Sequence, residues 1–438
     1  MNSLKTKIYL VLMCLSGLQA YAQKNIDFIK KNASEIKIEF EANDYKDLAD
    51  LQRKIGDSRL VLLGEQTHGD GTTIETKARI VKFLHEKMGF NILAFESSFY
   101  NAERSWDVLQ WDKNPVNCIQ NSTFELWGYT QQFLPLAEYI ANSAKTERPL
   151  QITGFDTQLH GYFLKRDLPM DFMMFLKKYN IPFSGQEEQN TFFKAYHALV
   201  HGINQSPNLI EKERTNIQAM LPVFRKLLDQ KIEDISSLPV DGVTSEWKQF
   251  WISTRAYLPF ILAEKKIETT PLENAASLRD SLMAENLIWL TNVQYPKDKI
   301  IVWAASWHIG KSAVSKQNSK QEISAKVMGD YLNSSLGPIS YSICFTTYAG
   351  NWSWYNMSDS HPIDPPGEES FEALFHHAGF NNAFMDFKFN KKSPNGKWLN
   401  KARSMRPYGH QELLRIWSQS FDAVIFNKNM IRALPIRN

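Results

Sequence analysis

The sequence predicts an α/β fold: a mostly parallel β-sheet core flanked by helices, with a helical insertion or cap. Three observations lead there. Short β-branched runs recur along the chain, an amphipathic stripe separates the first two, and the strand signal vanishes between Gly161 and Asn292. The runs are apolar almost without interruption. That pattern suits strands buried on both faces of a parallel sheet, since a sheet with one wet face alternates apolar and polar residues.

RLVLLG (59–64) is the first strand. Ile74, Ala78, Val81, Leu84 and Met88 then share one helical stripe, predicting a helix from about Thr72 to Met88 that stops at Gly89. NILAFE (91–96) completes a strand–helix–strand unit, and LQITGF (150–155) is the third strand. Residues 161–292 read as a mainly helical insertion or cap, broken at SGQ (184–186), QSPN (205–208) and SSLPVDG (236–242). KIIVWA (299–304), ISYSICF (339–345) and DAVIF (422–426) resume the sheet. Thr346 to Glu369 reads as a long aromatic, proline-rich loop. Loops of that length are usually functional or disordered, and its tryptophans and tyrosines argue against disorder.

Residues 1–22 stand apart. Lys5 and Lys7 precede an apolar run from Ile8 to Leu18, then Ala20-Tyr21-Ala22, the pattern of a secretory signal peptide cut after Ala22. The expected product is a single periplasmic or secreted domain, residues 23–438. The residues before Cys14 make a poor lipidation box, so a lipoprotein anchor is not expected. No later segment is long and apolar enough to span a bilayer. Cleavage removes two lysines and no acids, taking the formal charge from +3 to +1. So even a balance leaves no electrostatic footprint for nucleic acid or anionic membrane. Cys118 and Cys344 remain; an oxidising compartment permits a disulfide, and the sequence leaves their pairing open.

The chemistry gathers where the strands end. Glu65 and His68 follow the first strand, Glu96 closes the second, Asp156 follows the third, and His308 follows the fourth. Carboxyl ends of strands are where open α/β sheets bind ligands. Each residue alone also fits a turn, a cap or a structural histidine. Together, at four separate strand ends, they argue for a site. Lys77 and Arg79 are two apart on one helix, so only one of them can face the rim. Both are candidates to bind substrate, as is Asp156. Tyr348, Trp352 and Trp354 would wall the site for a bulky molecule.

The sequence contains no G-x-S-x-G elbow and no H-E-x-x-H, and GKS (310–312) has Ala305 where a phosphate loop needs glycine. A hydrolase here would activate water. The main reading needs no metal or other cofactor. Two rivals stay open: a divalent-metal hydrolase using Glu65, His68, Asp156 and His308 as ligands, and a non-catalytic small-molecule binding protein.

At these residues the sequence resembles the erythromycin esterase family. The blocks are GEQTHG (64–69), KAR (77–79), GFNILAFE (89–96), GFD (154–156), LRDSLMAENLIWL (278–290), VWAASWHI (302–309) and DPPGEESFEALF (364–375). They occur in the family's order between about residues 40 and 430. The resemblance implies an α/β core with a helical portion and metal-independent hydrolysis of carboxylic esters, macrolide lactones being the best-known substrates. It implies a general base at His68, nearby carboxylates at Glu65 and Glu96, and a second histidine at His308. Two departures stand out. Ala305 and Ser306 replace a usual His-Asn pair, and Thr72 stands where glutamate is common.

Overall fold

The computed structural model describes residues 23–202, 211–264, 275–311 and 326–436. The expected signal peptide and the QSPN break lie outside them. Eleven strands occur among these residues: β1 (Ala33–Glu35), β2 (Leu60–Glu65), β3 (Ile92–Ser98), β4 (Gln151–Asp156), β5 (Ile300–Ala305), β6 (Ser340–Trp352), β7 (His361–Ile363), β8 (Asn382–Asp386), β9 (Arg403–Met405), β10 (Leu413–Arg415) and β11 (Ala423–Met430). Nine form one sheet in the order β1-β8-β11-β6-β2-β5-β3-β4, with β7 paired to β6, while β9 and β10 make a separate hairpin.

The six runs read from the sequence are β2, β3, β4, β5, β6 and β11, and every pairing among them is parallel. β8 and β1 add an antiparallel edge. The parallel core is apolar throughout because it is buried on both faces. Leu60, Leu62, Ala94 and Val302 point into one core. Val61, Leu63, Leu93, Phe95, Ile301 and Trp303 point into the other. Fully burying a large apolar side chain stabilises by roughly 1.5–3 kcal/mol, so neither face tolerates a polar alternation.

The helix Gly71–Met88 follows β2 and buries Ile74, Ala78, Val81 and Leu84 against the second core. Gly89 ends it with φ 74°, its N–H bonded to the Leu84 carbonyl, a left-handed stop that glycine adopts without a Cβ clash. Between β4 and β5 no strand occurs among the described residues. Helices span Tyr162–Arg166, Leu168–Lys178, Gln186–Gly202, Glu211–Ser236, Gly242–Glu264 and Ala275–Trp289. Leu164, Phe172, Phe192, Phe224, Trp251 and Leu287 bring them onto the first core. No helix among the described residues is long and apolar enough to cross a membrane.

The first strand–helix–strand unit places β2 and β3 in parallel on either side of β5, which pairs with both. One sequence reading needs correction. The segment Thr346–Glu369 is not one loop. β6 runs on to Trp352, paired with β11 as far as Gly350 opposite Met430, and β7 folds back on it. β-Branched and aromatic residues such as Thr346, Thr347 and Tyr348 favour that extension. Cys118 and Cys344, whose pairing the sequence leaves open, are buried and free. They sit in the two different cores, and thiols on opposite faces of a sheet cannot meet disulfide geometry.

Candidate functional site

Parallel pairing sets the rim. Glu65 ends β2 opposite Ala305 of β5, and β3 joins β5 on its other side. The ends of β2, β5, β3 and β4 therefore lie side by side, bringing together Glu65, His68, Glu96, Asp156 and His308.

Glu65 is buried and shared. Its Oε1 lies 3.0 Å from His68 Nδ1, and its Oε2 accepts a close hydrogen bond from Lys77 Nζ. Lys77 is wholly buried, donates also to the Ala304 carbonyl at 3.2 Å, and rests 4.2 Å from the Trp303 ring centroid. Burial pulls its pKa down to about 8, with Glu65 opposing that fall. His68 packs edge-on to Trp127, ring centroids 5.0 Å apart, and its side chain keeps 27% exposure. Nδ1 is taken, so Nε2 is the nitrogen left to act. Burial pushes the His68 pKa down, but bonding to Glu65 and the Glu65 and Glu96 charges outweigh it, and the result lies above the usual histidine value.

The second imidazole is held on both sides. His308 Nδ1 lies 2.5 Å from Asp280 Oδ1, and Nε2 lies 3.2 Å from Glu96 Oε1. Burial opposes its charge, yet Glu96 and Asp280 raise its pKa to about 10. Arg279 completes the cluster, donating to Glu96 Oε1 at 2.9 Å and to both oxygens of Asp156, at 3.1 and 2.6 Å. The remaining oxygen of Glu96 accepts from the Ala305 N–H at 2.9 Å. Burial favours the acid form of Glu96, but His308, Arg279 and His68 hold it well below the ordinary glutamate range. The two imidazoles feel one another: the His308 charge lowers the pKa of His68.

Several expectations change here. Glu96 is bonded to His308 and Arg279 rather than to His68. Asp156 is wholly buried under Arg279. Lys77 serves Glu65 from beneath. Arg79, the other candidate on this helix, turns its guanidinium the opposite way, making two bonds to Asp47 at 2.8 Å and others to the Lys37 and Ala42 carbonyls. The two-residue helical spacing forces that divergence. The aromatic wall is of another kind. Tyr348 stacks on His376 at 4.1 Å and Trp352 on His361 at 4.6 Å. The backbone of Ser353 and Trp354 closes on Gly69 so tightly that a Cβ there would meet Ser353 C at 2.6 Å.

Arg279 and Asp280 were not singled out, although LRDSLMAENLIWL contains them. They sit within the helix Ala275–Trp289, not at a strand end; the available signal was an adjacent opposite-charge pair inside an apolar stripe. Asp70 was also missed. It accepts from Thr67 N and Oγ1 at 2.8 and 2.9 Å and so folds the turn that carries His68. Among the described residues, no group of three or more His, Cys, Asp or Glu side chains is placed to hold a metal ion. The carboxylates around the imidazoles are engaged by Lys77, Arg279 and His308.

The family model described as Erythromycin esterase matches residues 85–430. The chain is 28% identical over 408 residues to "Putative hydrolase YbfO" of Bacillus subtilis (strain 168), covering 90% of this chain and 88% of the relative. It is 22% identical over 389 residues to erythromycin esterase type II of Escherichia coli, covering 83% and 88%. Among solved structures, one described as a succinoglycan biosynthesis protein has a TM-score of 0.73 at 19% identity, covering 95% of this chain and 99% of that one. A mutant of the erythromycin esterase EreC in its open conformation has a TM-score of 0.65 at 16% identity, covering 92% and 98%. At such identities the structures speak for the fold alone. The family model starts beyond GEQTHG, so that block's agreement is additional to it. With the later blocks inside the matched stretch, the chain belongs to the erythromycin esterase family of hydrolases.

Proposed function

We propose that the protein is an exported, metal-independent hydrolase of carboxylic esters or lactones, in which His68 activates water. The observation that carries this reading is the His68–Glu65 pair. Glu65 fixes Nδ1 and leaves Nε2 on the exposed side of the ring. As water oxygen bonds to the ester carbonyl carbon, its proton passes to Nε2. The tetrahedral oxyanion then collapses, the carbon–alkoxide bond breaks, and the imidazolium returns that proton to the leaving oxygen.

The surroundings suit this cycle. Glu65, Glu96, Asp156 and Asp280 bring four carboxylates against the three cations Lys77, Arg279 and His308. The charges of Glu65 and Glu96 favour the imidazolium that forms when His68 takes up the water's proton. His308, both of whose nitrogens are engaged, acts as a fixed positive charge near the developing oxyanion rather than as a second base. Positioned general-base catalysis contributes roughly 10²–10⁴-fold, and preorganised charge supplies much of the rest.

A bulky lactone such as a macrolide is the first substrate class to try. Mass spectrometry of erythromycin incubated with the protein reads ring opening as the gain of one water, and a panel of p-nitrophenyl esters covers smaller substrates. Turnover that survives chelation and disappears in His68→Ala, with an unchanged circular dichroism spectrum, supports the reading. Turnover retained in His68→Ala refutes the base assignment, and loss on chelation restores the metal rival. A chain that turns over no ester is the binding protein instead. Export rests on the signal sequence, and N-terminal sequencing of periplasmic protein should begin at Gln23.

A further inference from the structure

The tip of the β9–β10 hairpin, residues 406–412, comes from the far end of the chain and touches both imidazole-bearing loops. On one side the Gly409 N–H donates to the Gln66 carbonyl at 3.0 Å, and His410 Nε2 lies 2.8 Å from Asp70 Oδ1. Asp70 is the wholly buried carboxylate that folds the Thr67–Asp70 turn around His68. On the other side the Tyr408 ring meets Trp307, next to His308, edge-on at 5.4 Å. The Tyr408 hydroxyl also fills the space beside Gly310. Three successive residues thus bridge loops that follow different strands.

The tip is held to shape. Gly409 and His410 both have φ 59°, and a non-glycine residue at positive φ is uncommon unless its surroundings impose it. Arg406 anchors the base of the tip: its N–H donates to Glu372 Oε1 at 2.8 Å and its guanidinium to the Tyr348 carbonyl at 2.8 Å. The His410 side chain is only 6% exposed, and its Nδ1 is buried without a hydrogen-bond partner among the described residues. The imidazole's hydrogen bonding goes to Asp70, and its ring lies against Trp352 with centroids 6.3 Å apart.

We propose that His410 is a positioning residue, and that the Tyr408–Gly409–His410 tip is a clasp setting the His68 turn and the short helical turn Ser306–Ile309, which carries His308, in register. The proposal rests on the reading of these two histidines as the site. A clasp of this kind acts on the geometry of the reacting groups, and a misplacement of about 1 Å can cost about 100-fold in rate.

The test uses the full chain labelled with ¹⁵N-histidine, reading the His68 and His308 ring resonances. His410→Gly keeps the left-handed turn and deletes the imidazole. It should shift both ring signals and lower kcat on any hydrolysed ester by 10- to 100-fold, with KM within about twofold. Asp70→Asn combined with His410→Gly should be no worse than the poorer single variant. Tyr408→Leu leaves the Asp70 contact in place, so a clasp requires it to move the His68 signal as well as that of His308. A folded His410→Gly with unmoved rings overturns the proposal. So does a Tyr408→Leu shift confined to His308, which decides the matter even if His410→Gly does not fold. A protein that hydrolyses no ester yet shows both coupled shifts loses the proposed function and keeps the clasp.

Discussion

Asp280 holds His308 by Nδ1 at 2.5 Å, while Glu96 faces its other nitrogen at 3.2 Å. An imidazole between two carboxylates is a fixed cation at neutral pH, and with Glu96 its pKa is raised to about 10. Asp280→Asn keeps the shape and removes one of those charges. An opposite charge at this range raises a pKa by roughly 1–3 units. The His308 titration, followed by NMR, should fall by that amount in the variant.

The rate should follow a bell in pH. His68 works as the neutral base, so kcat/KM rises as pH climbs through its pKa, which lies above 6.5. His308 works as a cation, so the rate falls again as pH passes about 10. A stopped-assay profile of kcat/KM from pH 5 to 11 checks both limbs, and Asp280→Asn should bring the alkaline limb inward.

Stability carries the same signature. His308 has a raised pKa, so its contribution is complete below 6.5 and is lost as pH rises toward about 10. Glu96 has a depressed pKa, so its contribution is present above 4.5 and lost as pH falls below it. The pair therefore stabilises most between those values. Its His308 part is at most roughly 5 kcal/mol at 1.36 per unit. Thermal melts should show Tm falling between pH 6.5 and 10, and a shallower fall in Glu96→Gln. That variant leaves Arg279 and His308 short of a partner and should itself cost roughly 3–5 kcal/mol.

Arg79 and Lys77 separate stability from catalysis. Arg79→Met breaks a buried pair with Asp47 far from the imidazoles and should cost roughly 3–5 kcal/mol in denaturant melts with kcat unchanged. Lys77→Met should cost a similar amount and, by stripping Glu65 of its cation, raise the His68 pKa and move the acid limb of the rate profile upward. NMR titration of His68 in both variants distinguishes the two helix faces.

Much of this site could be read before the fold was known, for a definable reason. Glu65, Glu96 and Asp156 close continuous apolar runs and His308 follows one by a few residues, and a parallel sheet carries such residues to one rim. The divergence of Lys77 and Arg79 followed from helical spacing. Arg279 and Asp280 escaped because mid-helix charges usually face water, and only the tertiary fold turns this pair inward. The hairpin escaped because β9 and β10 have three residues each, too few for periodicity, and RPYGHQE between them reads as an ordinary polar turn.

The placement of β5 between β2 and β3 governs how the chain can be assembled. During synthesis β2 and β3 are complete at Glu65 and Ser98, more than 200 residues before β5, the strand that separates them, begins at Ile300. Until that strand arrives, β2 and β3 must wait with bare edges or pair wrongly and come apart again. Non-local closure of this sort folds slowly and exposes adhesive intermediates, so refolding from denaturant should be slow and prone to clumping at high protein concentration.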